Sequence, residues 1–202
     1  MNKKFIYIYI GILFLEIIAG ESGNDLAVYI LKPCLLSALI VLVASLDMRK
    51  HWPFISALLF SLVGDILLMI KLPNLFIFGL GSFLITHVFY ISIFRKLATF
   101  KPLITITFLS VVAVFFWFVL KPNVPPKLSV PVFFYMTIIT AMGITASSVK
   151  INKQISYYLA IGATLFIVSD SLIAIDRFVQ AIPYPTLLIM SQRKATKNPL
   201  FT

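Results

Sequence analysis

Apolar residues along this chain run in long, nearly unbroken blocks, and polar residues collect in the short gaps between them. A helix needs about 20 mostly apolar residues to cross the hydrocarbon of a bilayer. Seven blocks meet or approach that length: residues 5–19, 26–46, 54–72, 75–94, 103–120, 130–149 and 155–175. An eighth, 178–190, is short and contains Pro183 and Pro185. Most blocks are apolar all round, without the two-residue alternation of a closed barrel. The pattern predicts an all-α polytopic transmembrane bundle of seven to eight spans. One domain covers residues 1–190, and 191–202 reads as a polar tail. The first block, preceded by Lys3 and Lys4, also fits a signal peptide, although Glu16 near its end suits a functional helix better.

Composition strengthens this reading. Of 202 residues, 60% are hydrophobic and 12% charged, where a soluble domain is about a quarter charged. Mean hydropathy is +1.03. The lone Cys34 excludes an intramolecular disulfide, and two histidines without Cys/His ligand spacing give no basis for a zinc site. No glycine-rich phosphate loop is present, so neither metal nor cofactor is expected.

The net charge of +10 would suggest nucleic acid in a soluble protein. Here the basic residues lie in gaps between spans, where topology and anionic head groups account for them, and no nucleic-acid partner is expected. With eight crossings, twelve Lys and Arg fall on the side of the N-terminus and four on the other, which predicts a cytoplasmic N-terminus. With seven crossings the bias shrinks to nine against seven. The charges do not distinguish a bacterial inner membrane from an endomembrane, and oligomeric state is not legible. Leu59-Phe60 before Gly64-Asp65, echoed by Leu165-Phe166 before Ser169-Asp170, suggests a four-plus-four internal repeat.

Charges inside hydrocarbon cost at least about 2.5–3.5 kcal/mol at a helix centre and mark functional positions. Glu16, Lys32, Asp65, His87 and Asp170 lie inside five different blocks. At about 1.5 Å per residue, Glu16 and Asp65 lie about 16 Å from the cytoplasmic ends of their blocks and Asp170 about 22 Å. Lys32 lies about 9 Å, and His87 about 18 Å, from the opposite face. The four charged residues thus share the non-cytoplasmic half, with His87 near the midplane. Plainer roles exist for each: Lys32 can snorkel to the interface, His87 can bond a carbonyl, and the acids can anchor structural ion pairs. Tyr90 shares a helix face with His87. Tyr135, Tyr157 and Tyr158 fall near block ends and read as interfacial, as do Asp176 and Arg177.

The ordered set Leu31-Lys32-Pro33, Gly64-Asp65 with Ile66-Leu67-Leu68-Met69, Gly81…His87…Tyr90 and Gly162-Ala163…Phe166…Ser169-Asp170-Ser171 resembles the YhhN/lysoplasmalogenase family of multispanning membrane proteins. The likeness covers about residues 5–180 and ends after Pro185. There Ser191–Thr202 replaces the family's last apolar helix, so the tail is expected to be truncated or altered. The resemblance implies eight transmembrane helices and hydrolysis of the vinyl-ether bond of lysoplasmalogen to a fatty aldehyde and a glycerophospho-head-group. It also implies that Asp65 and Asp170 are the essential acids.

Vinyl-ether hydrolysis needs one acid to protonate the outer alkene carbon and one base or anion near the oxocarbenium ion. Two carboxyl groups in unlike surroundings can divide those roles, as glycosidases do by analogy. The expected catalytic set is Asp65, Asp170 and His87, the histidine orienting water or relaying a proton; which aspartate is the acid is not legible. Lys32 is expected to hold the substrate phosphate, and Glu16, Tyr90 and Ser169 complete the substrate-binding set. The partners are a lysophospholipid and the surrounding membrane lipids. The competing readings are a proton-coupled transporter and a non-catalytic lysolipid-binding protein.

Overall fold

A computed structural model describes residues 3–22, 25–70 and 72–180, which form six helical elements joined by short turns. They are α1 (Lys3–Glu21), α2 (Asp25–Met69), α3 (Pro73–Phe94), α4 (Pro102–Val114), α5 (Pro126–Ser147) and α6 (Lys153–Phe178). A π-helical segment, Phe115–Leu120, continues α4. Among the described residues, six stretches are long and apolar enough to cross a membrane: Leu26–Ser45, His51–Met69, Asn74–Phe94, Pro102–Leu120, Pro126–Ser147 and Lys153–Phe178. The chain is an all-α, multi-pass membrane bundle. The block at 178–190 lies almost wholly outside the described residues, as does the tail.

Element α2 holds two of these stretches, and they fold back on each other. The Tyr29 hydroxyl donates to the Met69 carbonyl at 3.0 Å, and Lys32 reaches Asp65 at 3.4 Å. In a straight helix those last two residues would stand about 50 Å apart. The reversal falls between Ser45 and His51, just before Pro53. Pro53 has no N–H to give the carbonyl of Arg49, which weakens the helix at that point. Val43, Ile55 and Leu58 then pack between the arms.

Packing proceeds outward from this hairpin. The α3 hydroxyls bond α2 carbonyls, Ser82 to Phe60 at 2.7 Å and Thr86 to Ala57 at 3.2 Å. In hydrocarbon such groups must find a partner inside the protein. Gly64 lets α3 approach closely: a Cβ there would lie 2.7 Å from the Phe83 ring. α5 packs on α3 and, on its other sides, on α4 and α6. The central cluster comprises Phe83, Tyr135, Ile139, Met142, Ala146 and Ala163.

α4 has no fully buried residue, and α6 has only Ala163. Phe118, Leu103 and Leu165 stand 77%, 77% and 63% exposed. Apolar exposure on this scale marks a surface made for lipid.

Most block ends shift by one to three residues, and two differences from the sequence pattern bear on the site. α5 begins at Pro126 rather than 130, because a proline at the first helical position loses no hydrogen bond. The fifth block is not uniform α-helix, since its last six residues are π-helical. That wider turn points Phe115 and Leu120 toward α6 and a cavity there.

Candidate active site

Two arms of α2 bring the first pair together. Lys32, about two turns into the first arm, meets Asp65, about one turn from the end of the second, with Nζ 3.4 Å from Oδ1. Both side chains are about one-fifth exposed. Lys32 is thus paired inside the bundle and does not snorkel outward. Glu16 of α1 faces the same place. It is 1% exposed, its charge interacts with Lys32 and Asp65, and neither carboxyl oxygen has a hydrogen-bond partner among the described residues.

The second group spans α3, α5 and α6. The Tyr135 hydroxyl donates to Asp170 Oδ2, and His87 Nε2 lies 3.2 Å from the same hydroxyl oxygen. With its proton given to Asp170, Tyr135 can only accept from His87. The network therefore assigns the proton to Nε2 and leaves Nδ1 as an acceptor. Nδ1 is buried and without a partner among the described residues. The ring of Phe166 stands edge-on to the imidazole, centroids 5.2 Å apart. His87 and Tyr135 are 0% and 8% exposed.

The two groups stand near enough for charge to act between them. The charges of Asp65 and Lys32 both act on Asp170, and that of Asp65 acts on Tyr135. Helix counting agrees. At about 1.5 Å per residue, Asp65, Lys32, Tyr135 and Asp170 lie roughly 6–14 Å from the ends of their elements on one side of the bundle, and His87 about 20 Å.

Beside Asp170 and Tyr135 lies a cavity of about 270 Å³ between α3, the π segment, α5 and α6. Its walls are otherwise almost wholly apolar, from Phe76 and Phe178 at one end to Ile139 and Ile167 at the other. It holds an alkyl chain better than a hydrated solute, with three polar residues, Tyr135, Asp170 and Ser171, at the wall to fix orientation.

The remaining expected residues lie elsewhere. Tyr90 stacks on Phe94 at 5.9 Å and lines a second, smaller aromatic pocket with Phe54 and Tyr158. Ser169 adjoins Asp170 but does not line the cavity, whereas Ser171 does. Sequence reasoning missed Tyr135 as a site residue. Starting α5 at Pro126, a position the Pro125-Pro126 pair signals, would have moved this tyrosine from the membrane edge to mid-helix.

Comparison with known proteins bears on the chemistry. The YhhN family matches residues 27–192. A lysoplasmalogenase of Mycobacterium bovis is 29% identical over 188 residues, covering 85% of this chain and 69% of its own length. Lysoplasmalogenase TMEM86A of Bos taurus is 33% identical over 141 residues, which is 66% of this chain and 57% of that protein. A mouse relative, lysoplasmalogenase TMEM86B, is 29% identical over 140 residues, 69% of this chain and 58% of its own. No solved structure matches. With a family match over most of its length and named hydrolases aligned across it, the chain belongs to the YhhN family of membrane-embedded, ether-cleaving enzymes.

Proposed function

We propose that this protein hydrolyses the vinyl-ether bond of lysoplasmalogen, with Asp170 as the acid and Asp65 as the base. The observation that carries the assignment is the unlike company of the two carboxyl groups. Asp65 is ion-paired with Lys32, which suits an anion. Asp170 contacts a neutral phenol and borders the apolar cavity, where an alkenyl chain would lie.

Asp170 gives its proton to the outer alkene carbon, and the positive charge moves onto the inner carbon and the ether oxygen. Asp65 takes a proton from water as its oxygen bonds to the inner carbon, giving a hemiacetal. The hemiacetal hydroxyl then returns a proton to Asp170. The carbon–oxygen bond to glycerol breaks, and the glycerol oxygen takes the proton held by Asp65. One water is consumed and both acids regain their starting states. Proton transfer by positioned groups contributes about 10²–10⁴-fold, and the anionic Asp65 stabilises the developing cation.

His87 and Tyr135 supply a second way to load Asp170. A proton arriving at Nδ1 allows Nε2 to pass its proton to Tyr135 and Tyr135 its own to Asp170, leaving His87 neutral with the proton on Nδ1. The lipid enters sideways between α4 and α6, the two helices most open to the bilayer. With the N-terminus cytoplasmic, as the loop charges suggest, the site lies in the outer half of the membrane.

The test is aldehyde release from lysoplasmalogen by the purified protein in detergent. Asp65→Asn and Asp170→Asn should each abolish it while the protein still folds and elutes as the wild type, with Asp65→Asn, which strands Lys32, also lowering the melting temperature. Full activity in both would end the assignment. Activity seen only in sealed vesicles under a gradient would favour a transporter.

A further inference from the structure

Lys32, the cation expected to hold the substrate phosphate, is engaged by Asp65. The phosphate of the proposed substrate therefore needs another partner. The cavity offers a candidate at the end where Phe76 and Phe178 close its wall, their rings edge to face with centroids 5.6 Å apart. Arg177 lies over Phe76, its Cζ 4.8 Å from the ring centre. On the neighbouring element, Leu120 ends the part of the π segment that lines the cavity. The next residue, Lys121, holds its Nζ 3.5 Å from the ring centre of Trp117. The π segment packs on α6, so the two cations come from neighbouring elements, each next to a residue that lines the cavity.

Spacing supports the assignment. Arg177 follows Asp170 by seven residues, two helical turns on one face and about 10.5 Å along the axis. In a lysoplasmalogen, six bonds separate the reacting inner alkenyl carbon from phosphorus. At about 1.25 Å of advance per bond in an extended chain, that is roughly 7–8 Å. With the inner carbon beside Asp170, the phosphate falls within reach of a guanidinium two turns away. Arg177 is itself exposed although the Phe76 ring beneath it is buried, and a solvated cation over a ring gains only about 0.5–1 kcal/mol. A forked, charge-assisted contact with phosphate is stronger, so the ring is a resting place that Arg177 can leave.

We propose that Arg177, assisted by Lys121, forms the phosphate-binding site of the lysophospholipid at the mouth of the cavity. The proposal rests on the hydrolase reading for its substrate but has a binding readout of its own. The full chain in detergent is assayed with 1-alkenyl-glycerophosphocholine and with neutral 1-alkenyl-glycerol. Arg177→Gln should raise KM for the phospholipid at least about tenfold, with kcat within about threefold, as expected for a lost charge-assisted contact. The preference for the phospholipid over the neutral ether should fall by a similar factor. Lys121→Gln should act in the same direction but less, and Arg177→Lys should recover part of the loss.

Calorimetric binding of the uncleavable 1-O-alkyl-glycerophosphocholine should weaken in parallel. If the wild type releases aldehyde and both Gln variants keep the preference and the binding, the phosphate site is wrong while the hydrolase reading stands. If the wild type releases none and Arg177→Gln still weakens lysolipid binding, the hydrolase reading fails and the phosphate site stands.

Discussion

Replacing Tyr135 by Phe isolates the group that joins His87 to Asp170. The ring is retained within the Phe83–Ile139–Met142 cluster, so packing changes little. What disappears is a hydroxyl that donates to Asp170 and lies 3.2 Å from His87 Nε2. Each buried polar group left without a partner costs about 1–3 kcal/mol. If that loss falls on the transition state, the rate drops roughly 5- to 150-fold. We expect kcat to fall within that range while KM changes less than about threefold, because Tyr135 holds the acid and not the head group. A purely structural tyrosine would behave differently, lowering thermal stability in detergent while the surviving folded enzyme kept its kcat. Aldehyde release at saturating substrate, measured beside the unfolding midpoint, separates the two. Wild-type kcat in a folded Tyr135→Phe enzyme would refute both the hydrogen-bonded support of Asp170 and the proton route through His87.

Lys32→Met strands Asp65 without its cation. Removing one partner of a buried pair costs about 3–5 kcal/mol, less here because the pair is partly exposed. The variant should be less stable than wild type and inactive, and Asp65→Asn added to it should restore stability but not activity in melting and aldehyde assays. Ala174→Phe places a ring in the cavity wall. It should lower kcat/KM for long alkenyl chains at least about tenfold while sparing short ones, because the lost contacts scale with chain length. Equal loss at all lengths would show that the chain lies elsewhere. Gly64→Ala forces a methyl to 2.7 Å from the Phe83 ring, one residue from Asp65. Overpacking of this kind costs about 1–3 kcal/mol, which a lowered melting temperature with reduced activity would reveal; an unchanged melting temperature would mean that Phe83 moves freely aside.

The sequence by itself determined the class of the protein and put forward most of its candidate site residues. Span length and composition are local, and hydrocarbon excludes almost every alternative to helix for a backbone that must satisfy its own hydrogen bonds. The high cost of charge in hydrocarbon made Glu16, Lys32, Asp65, His87 and Asp170 visible as candidates before any packing was known. Only the tertiary structure decided which of them meet. Pairing depends on how each helix is rotated about its axis and where the chain reverses, and both are set by contacts between remote residues. The fold-back of α2 gave Lys32 to Asp65. The start of α5 at Pro126 moved Tyr135 from an interfacial reading to the link between His87 and Asp170. The cavity arises from gaps among four elements whose near-uniform apolar surfaces carry no pattern to reveal it.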